Sequence, residues 1–163
     1  MPSSRLTRHS RSRSLGLHVP PPTWWCQVVY GPSMTSLAFD LAHALEPTLT
    51  EADDVYLSRS EHDANVAPWL HMAHRRGCTV RWVPLLPDSC SLHLDALEHS
   101  LRTSPGRPAL LALGAAANAT GTCHDVVRAV ALAKAHGARY TIVDAVHYAP
   151  HYAIDVQAFD PWI

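Results

Sequence analysis

At 163 residues, with 47% hydrophobic and 17% charged side chains, the chain is long enough to bury one core. A formal net charge of -1 gives it no bulk charge to draw nucleic acid or a membrane surface, and no apolar run approaches the roughly 20 residues of a membrane-spanning helix. Cys26, Cys78, Cys90 and Cys123 form no CxxC pair, and without a secretory signal they read as free thiols of a reducing, cytoplasmic compartment.

Residues 1–26 differ in texture from the rest of the chain. "RLTRHSRSRS" carries Arg5, Arg8, Arg11 and Arg13, no acidic residue precedes Asp40, and "HVPPPTWWC" holds three consecutive prolines. Such a composition buries too little to order itself, so a disordered Arg/Ser/Pro-rich extension is expected; a transit peptide or basic arm shares the same composition. From Gln27 to Ile163 the pattern alternates as one domain. "QVVY" reads as a strand and "GPSMTSLAFDLAHAL" as a helix spaced by Leu37, Leu41 and Leu45. "DDVYLS", "CTVRWVPL", "PALLALG" and "RYTIVDA" are further strands, separated by the helical runs "HDANVAPWLHMAHRRG", "HLDALEHSLRTS" and "CHDVVRAVALAKAHG". Strands alternating with helices of this length predict an α/β fold, a mainly parallel sheet flanked by helices.

Ligands of such sheets sit at the carboxyl ends of the strands, which directs attention to residues 31–35, 60–65, 116–122 and 144–151. "YGPSMT" offers N–H groups and hydroxyls at a helix start, a generic phosphate seat, though N-capping by Ser33 explains it equally. In "SEHDAN", His62 offers a flat ring for stacking, or Asp63 simply caps the next helix. In "AAANATGT", Asn118 brings amide donors and an acceptor to a loop of small residues. Asp144 closes "TIV", where a carboxylate serves a protonated ring nitrogen, a metal or a cap, and His147 and His151 come after it. A histidine-based metal site is the lesser reading, because no HExxH and no paired cysteines accompany these residues.

Taken in order, these segments resemble the class V aminotransferase family, cysteine desulfurase-like branch. "EHDANVAPW" is similar to its EHxANxxPW segment, "NATGT" to N-x-x-G-T, and "VDAVHYAPHYAIDVQAFD" to VDGAQxxPHxxVDVQxxxxD. The resemblance implies a partial fold-type I large domain over 27–163 and pyridoxal 5′-phosphate (PLP) as cofactor. It implies that Asp144 pairs with the pyridine nitrogen and His62 stacks on the ring. Asn118 and His147 would lie near the phenolic oxygen, with Met34 (through its N–H) and Thr35 at the phosphate. His147 stands where desulfurases commonly carry glutamine, and His151 falls in a Pro-His pair read as scaffolding. The family's Schiff-base lysine has no match: Lys134, the single lysine, falls on the fourth predicted helix, where a solvated surface position is expected. The implied activity is that of a PLP enzyme on a small amino acid, whether desulfurase, transaminase or lyase, in a homodimer. This chain is expected to be inactive alone, and a non-catalytic PLP-binding remnant is the alternative.

Overall fold

The structure, a computed structural model, describes residues 28–156. Its frame is a four-stranded, all-parallel sheet in the order β2-β1-β3-β4, made of β1 (Asp53–Ser58), β2 (Thr79–Val83), β3 (Arg107–Gly114) and β4 (Tyr140–Asp144). The helices are α1 (Met34–Leu45), α2 (Ala67–Arg76), α3 (Leu94–Thr103) and α4 (Val126–Ala135). β1 is buried at every position, and β3 from Ala109 onward, as central parallel strands covered on both faces must be.

The two-residue period of the strands divides the core. Val55 and Leu57 of β1, with Leu110 and Ala112 of β3, pack against Ala38, Ala42 and Leu45 of α1 and Trp69, Met72 and Ala73 of α2. Tyr56, Leu111 and Leu113 face the other way, onto Leu97 and Leu101 of α3 and Val126, Ala129 and Ala133 of α4. The helix leaving β1 therefore covers one face and the helix leaving β3 covers the opposite one. That reversal opens a crevice between the carboxyl ends of two adjacent strands.

Local chemistry sets the helix ends. Ser33 caps α1, its hydroxyl accepting from Ser36 N–H at 3.1 Å, and Asp125 caps α4 by accepting from Arg128 N–H at 3.0 Å. Gly77 ends α2 in the left-handed conformation at φ 69°, where glycine carries no Cβ penalty. The expected helix from His62 to Gly77 is divided: a 3-10 turn spans Asp63–Asn65 and α2 begins at Ala67. Pro68 has no N–H for the carbonyl four residues back, so one continuous helix cannot form. The cap of this turn is His62, whose Nδ1 accepts from Ala64 N–H at 3.1 Å, and not Asp63 as the sequence suggested.

One expected strand is absent. Val28, Val29 and Tyr30 of "QVVY" are not in the sheet; Val29 and Tyr30 are 74% and 86% exposed, β-rich residues with no neighbouring ladder to join. Gln27, the extension expected over 1–26 and residues 157–163 lie outside the described residues.

The amino ends of the strands are bound together by two buried acids, Asp53 and Asp54, each 1% exposed. Asp53 accepts from Thr50 N–H at 2.8 Å and Arg139 Nη2 at 2.8 Å, and pairs with Arg107 at 3.2 Å, joining β1 to the starts of β3 and β4. Asp54 pairs with Arg81 of β2 at 2.7 Å and accepts from the Ser104 hydroxyl. Burial pushes the Asp53 carboxyl up, but the Thr50 hydrogen bonds and the Arg139 and Arg107 charges outweigh it and hold the group below its ordinary value. A depressed carboxyl stabilises the fold above its unfolded pKa, and that stability is lost as pH falls through the folded value. Thermal melts of Asp53→Asn should therefore show a loss of about 2 kcal/mol at neutral pH. The difference from wild type should narrow below about pH 4.

Candidate functional site

Three loops meet at the carboxyl rim of the sheet. The first leaves β1 and carries Ser60, Glu61 and His62. The second, between β3 and α4, doubles back on itself through an antiparallel bridge between Ala116 and Cys123 and a hydrogen bond from Ala117 N–H to Thr122 O at 2.9 Å. Gly121 turns this loop at φ 70°, which leaves Asn118 exposed at its tip. The third leaves β4. Asp144 Oδ1 accepts from Val146 N–H at 2.8 Å, and the next residues coil, with Ala149 N–H on Ala145 O at 2.8 Å and Tyr152 N–H on Tyr148 O at 3.1 Å.

The second and third loops enclose a cleft of about 290 Å³ lined by Ala116, Ala117, Asn118, Gly121, Cys123, His147, His151 and Tyr152. Two of the expected site residues, Asn118 and His147, thus share one cavity. His151, read from sequence as scaffolding, lines the same cavity and is exposed, its ring centroid 6.4 Å from that of Tyr152. The coil after Asp144 returns residue 151 to the side occupied by residue 147. Met34, Thr35, His62 and Asp144 do not line this cleft. Met34 and Thr35 open α1, where first-turn N–H groups have no intrahelical acceptor. Lys134 is half-buried, not fully solvated, in the last turn of α4, about 12 Å along the helix axis from Val126 by the rise per residue.

His62 and Asp144 are related through a residue to which sequence reasoning gave no role. Gly114 at the end of β3 is the register partner of Asp144, and Glu61 Oε1 accepts from Gly114 N–H at 2.8 Å. Glu61 Oε2 accepts from Asn65 Nδ2 at 2.9 Å, and Asn65 Oδ1 from the buried Trp69 indole at 3.0 Å. The signal was present as an i, i+4 ladder, Glu61–Asn65–Trp69, inside "EHDANVAPW". Burial pushes the Glu61 carboxyl up, the hydrogen bonds from Asn65, Gly114 and Ser58 pull it down, and the nearby Asp144 charge adds to the net rise.

A second tie runs beside it. His124, 7% exposed, places Nε2 3.0 Å from the Ser60 hydroxyl, which lies 2.8 Å from that of Ser58, while His124 Nδ1 has no partner. Burial pulls the His124 pKa down, so the ring is neutral at neutral pH. Among the described residues no three His, Cys, Asp or Glu side chains are arranged to hold a metal ion, so Asp144, His147 and His151 do not form a ligand set. Nor is any described helix long and apolar enough to cross a membrane.

The chain is similar to known proteins. The family model described as aminotransferase class-V matches residues 27–161. A cysteine desulfurase of Salmonella newport (strain SL254) is 37% identical over 108 residues, which are 66% of this chain and 25% of that protein. The solved structure of the cysteine desulfurase CsdA from Escherichia coli superposes with a TM-score of 0.70 at 34% identity, covering 78% of this chain and 31% of that one. The apo cysteine desulfurase from Thermococcus onnurineus NA1 gives a TM-score of 0.72 at 24% identity, over 80% of this chain and 31% of that one. The chain spans about a quarter of the length of the curated relatives it matches.

A neutral buried histidine must take up a proton as pH drops, which favours the unfolded chain. Wild-type Tm should therefore fall between about pH 6.5 and 5, and His124→Asn should flatten that part of the profile. Melts at about pH 7.5, 6.5 and 5.5 bracket that window and provide the check.

Proposed function

We propose, from the premise that this chain belongs to the aminotransferase class-V family, that it builds the PLP cradle of a cysteine desulfurase-like enzyme acting on a small amino acid. The family is PLP-dependent, and the four-stranded parallel sheet with its flanking helices is a partial fold-type I large domain. The observation that carries the reading is the cleft at the sheet's carboxyl rim, where Asn118 and His147 meet beside the strand that ends in Asp144.

The side chains suit the group. Asp144 has one oxygen committed to Val146 N–H and takes no hydrogen bond on the other among the described residues, leaving an acceptor for a protonated pyridine nitrogen. His62 offers an exposed ring face at the neighbouring loop, and Asn118 and His147 offer donors for the phenolic oxygen. The Ser33-capped start of α1 offers the Met34 N–H and the Thr35 N–H and hydroxyl to the phosphate. When bound, PLP supplies an electron sink for bond cleavage at an amino acid α-carbon. The protein's part is to keep the ring nitrogen protonated through Asp144, to orient the ring through His62, and to hold a proton at the phenolic oxygen through His147.

The 163-residue chain supplies no lysine to this rim, since Lys134 lies in the last turn of α4. On this reading it is a cradle without a covalent anchor, and alone it seats PLP reversibly without turnover. Cytoplasmic residence and homodimeric assembly belong to the same reading; Cys78, Cys90 and Cys123 are free thiols, as a reducing compartment keeps them.

Equilibrium titration of the purified chain with PLP, followed by absorbance, should show saturable binding that dialysis removes. It should show no sulfide from cysteine and no pyruvate from alanine. Asp144→Asn should weaken binding about tenfold, the cost of one charge-assisted hydrogen bond. Dialysis-resistant PLP together with turnover would overturn the reading of an inactive cradle, and an absence of binding would overturn the cradle itself.

A further inference from the structure

Both carboxylate oxygens of Glu61 are committed, and to different elements. Oε1 accepts from Gly114 N–H of β3 at 2.8 Å, and Oε2 accepts from Asn65 Nδ2 at 2.9 Å. The Asn65 amide has a fixed orientation, because its Oδ1 accepts from the Trp69 indole, a group that only donates. Asn65 and Trp69 are both 0% exposed, so water cannot substitute for either partner.

These commitments fix the direction of three hydrogen bonds, and the Ser60 hydroxyl also donates to Glu61 Oε1 at 3.4 Å. Trp69 donates to Asn65, Asn65 donates to Glu61, and Gly114 donates to Glu61 from the other side. A glutamine in place of Glu61 would turn an amide NH₂ against one of these donors. Flipping Asn65 to meet it would strip Trp69 of its acceptor. Space is equally restricted: a Cβ on Gly114 would lie 2.8 Å from Glu61 Oε2. One end of this network is therefore bound to the residue in register with Asp144, the other end is the buried Trp69 indole, and Glu61 between them directly precedes His62 in the chain.

We propose that Glu61 is a positioning residue that fixes His62 relative to Asp144 at the carboxyl rim of the sheet. Its effect on ligand binding rests on the PLP-cradle reading, in which His62 and Asp144 face the cofactor. Its effect on the position of His62 does not need the cofactor. The Ser60–His124 tie holds the other side of the same loop, so displacing the Glu61 carboxylate releases His62 without detaching the loop altogether.

The test uses the full 163-residue chain, read by NMR of the Gly114 amide and the His62 ring without PLP, and by PLP titration. Glu61→Gln should shift both sets of signals and weaken PLP binding about tenfold, the cost of one rim group left unpaired. In a His62→Ala background the same substitution should cost less than about twofold, because the group through which it acts is gone. A full tenfold loss in that background, or unmoved His62 signals in Glu61→Gln, would overturn the proposal. Gly114→Ala, which displaces the carboxylate while keeping it, should reproduce the shifts and serves if Glu61→Gln does not melt cooperatively. Loss of the fold in both variants would overturn the proposal by making Glu61 a folding residue only. If the wild-type chain takes up no PLP, the cradle reading fails while the His62 and Gly114 signals still decide the role of Glu61.

Discussion

The rim is built on the pairing of β1 with β3. The two strands run parallel in the middle of the sheet, and their side chains feed both halves of the core. Because the helices leaving them pass to opposite faces, the loops beyond their carboxyl ends must diverge and leave a crevice. β4 then sets Asp144 beside Gly114, so the acid stands at the height where the crevice opens. Slipping this pairing by one residue would exchange Val55 for Tyr56 between the two halves of the core, each half then receiving side chains shaped for the other. The ladder is thus held wherever the core is held.

The two ends of the sheet use polar chemistry differently. At the amino ends, buried carboxylates are matched with guanidinium groups: Asp53 with Arg107 and Arg139, Asp54 with Arg81. Charge here joins strand to strand. At the carboxyl ends the tie groups are Glu61, whose pKa is raised, and the neutral His124, while His147 and His151 stand in the wall of the cleft. An end that must receive a charged ligand gains from keeping its own paired charges elsewhere, since a guanidinium already matched has little field left to offer.

How far the sequence reached depends on whether a feature was local. Four strands, four helices and their glycine stops come from periodicity and capping residues, which act within a few positions. "QVVY" misled because β propensity says only that a residue suits a ladder, not that a ladder is beside it. Asp63 looked like a cap because its type is a common one, yet the histidine before it takes the turn N–H. Asn118 and His147 could be named one loop at a time, but their meeting in one cleft depends on β3 and β4 being neighbours. The Ser60–His124 tie joins residues 64 positions apart and leaves no local trace at all. Glu61 is the intermediate case: its ladder with Asn65 and Trp69 is written in helical spacing, while its bond to Gly114 is not.

β4 carries a consequence of a different kind. Among the described residues it is the last strand in the order of the sheet, paired with β3. Asp144 is the last residue of that same strand. A segment laid along β4, whether from the same polypeptide or another, would lengthen the sheet and wall the far side of the acid in one event. Whatever strand pairs there would therefore extend the sheet and decide what stands opposite Asp144 in the same step.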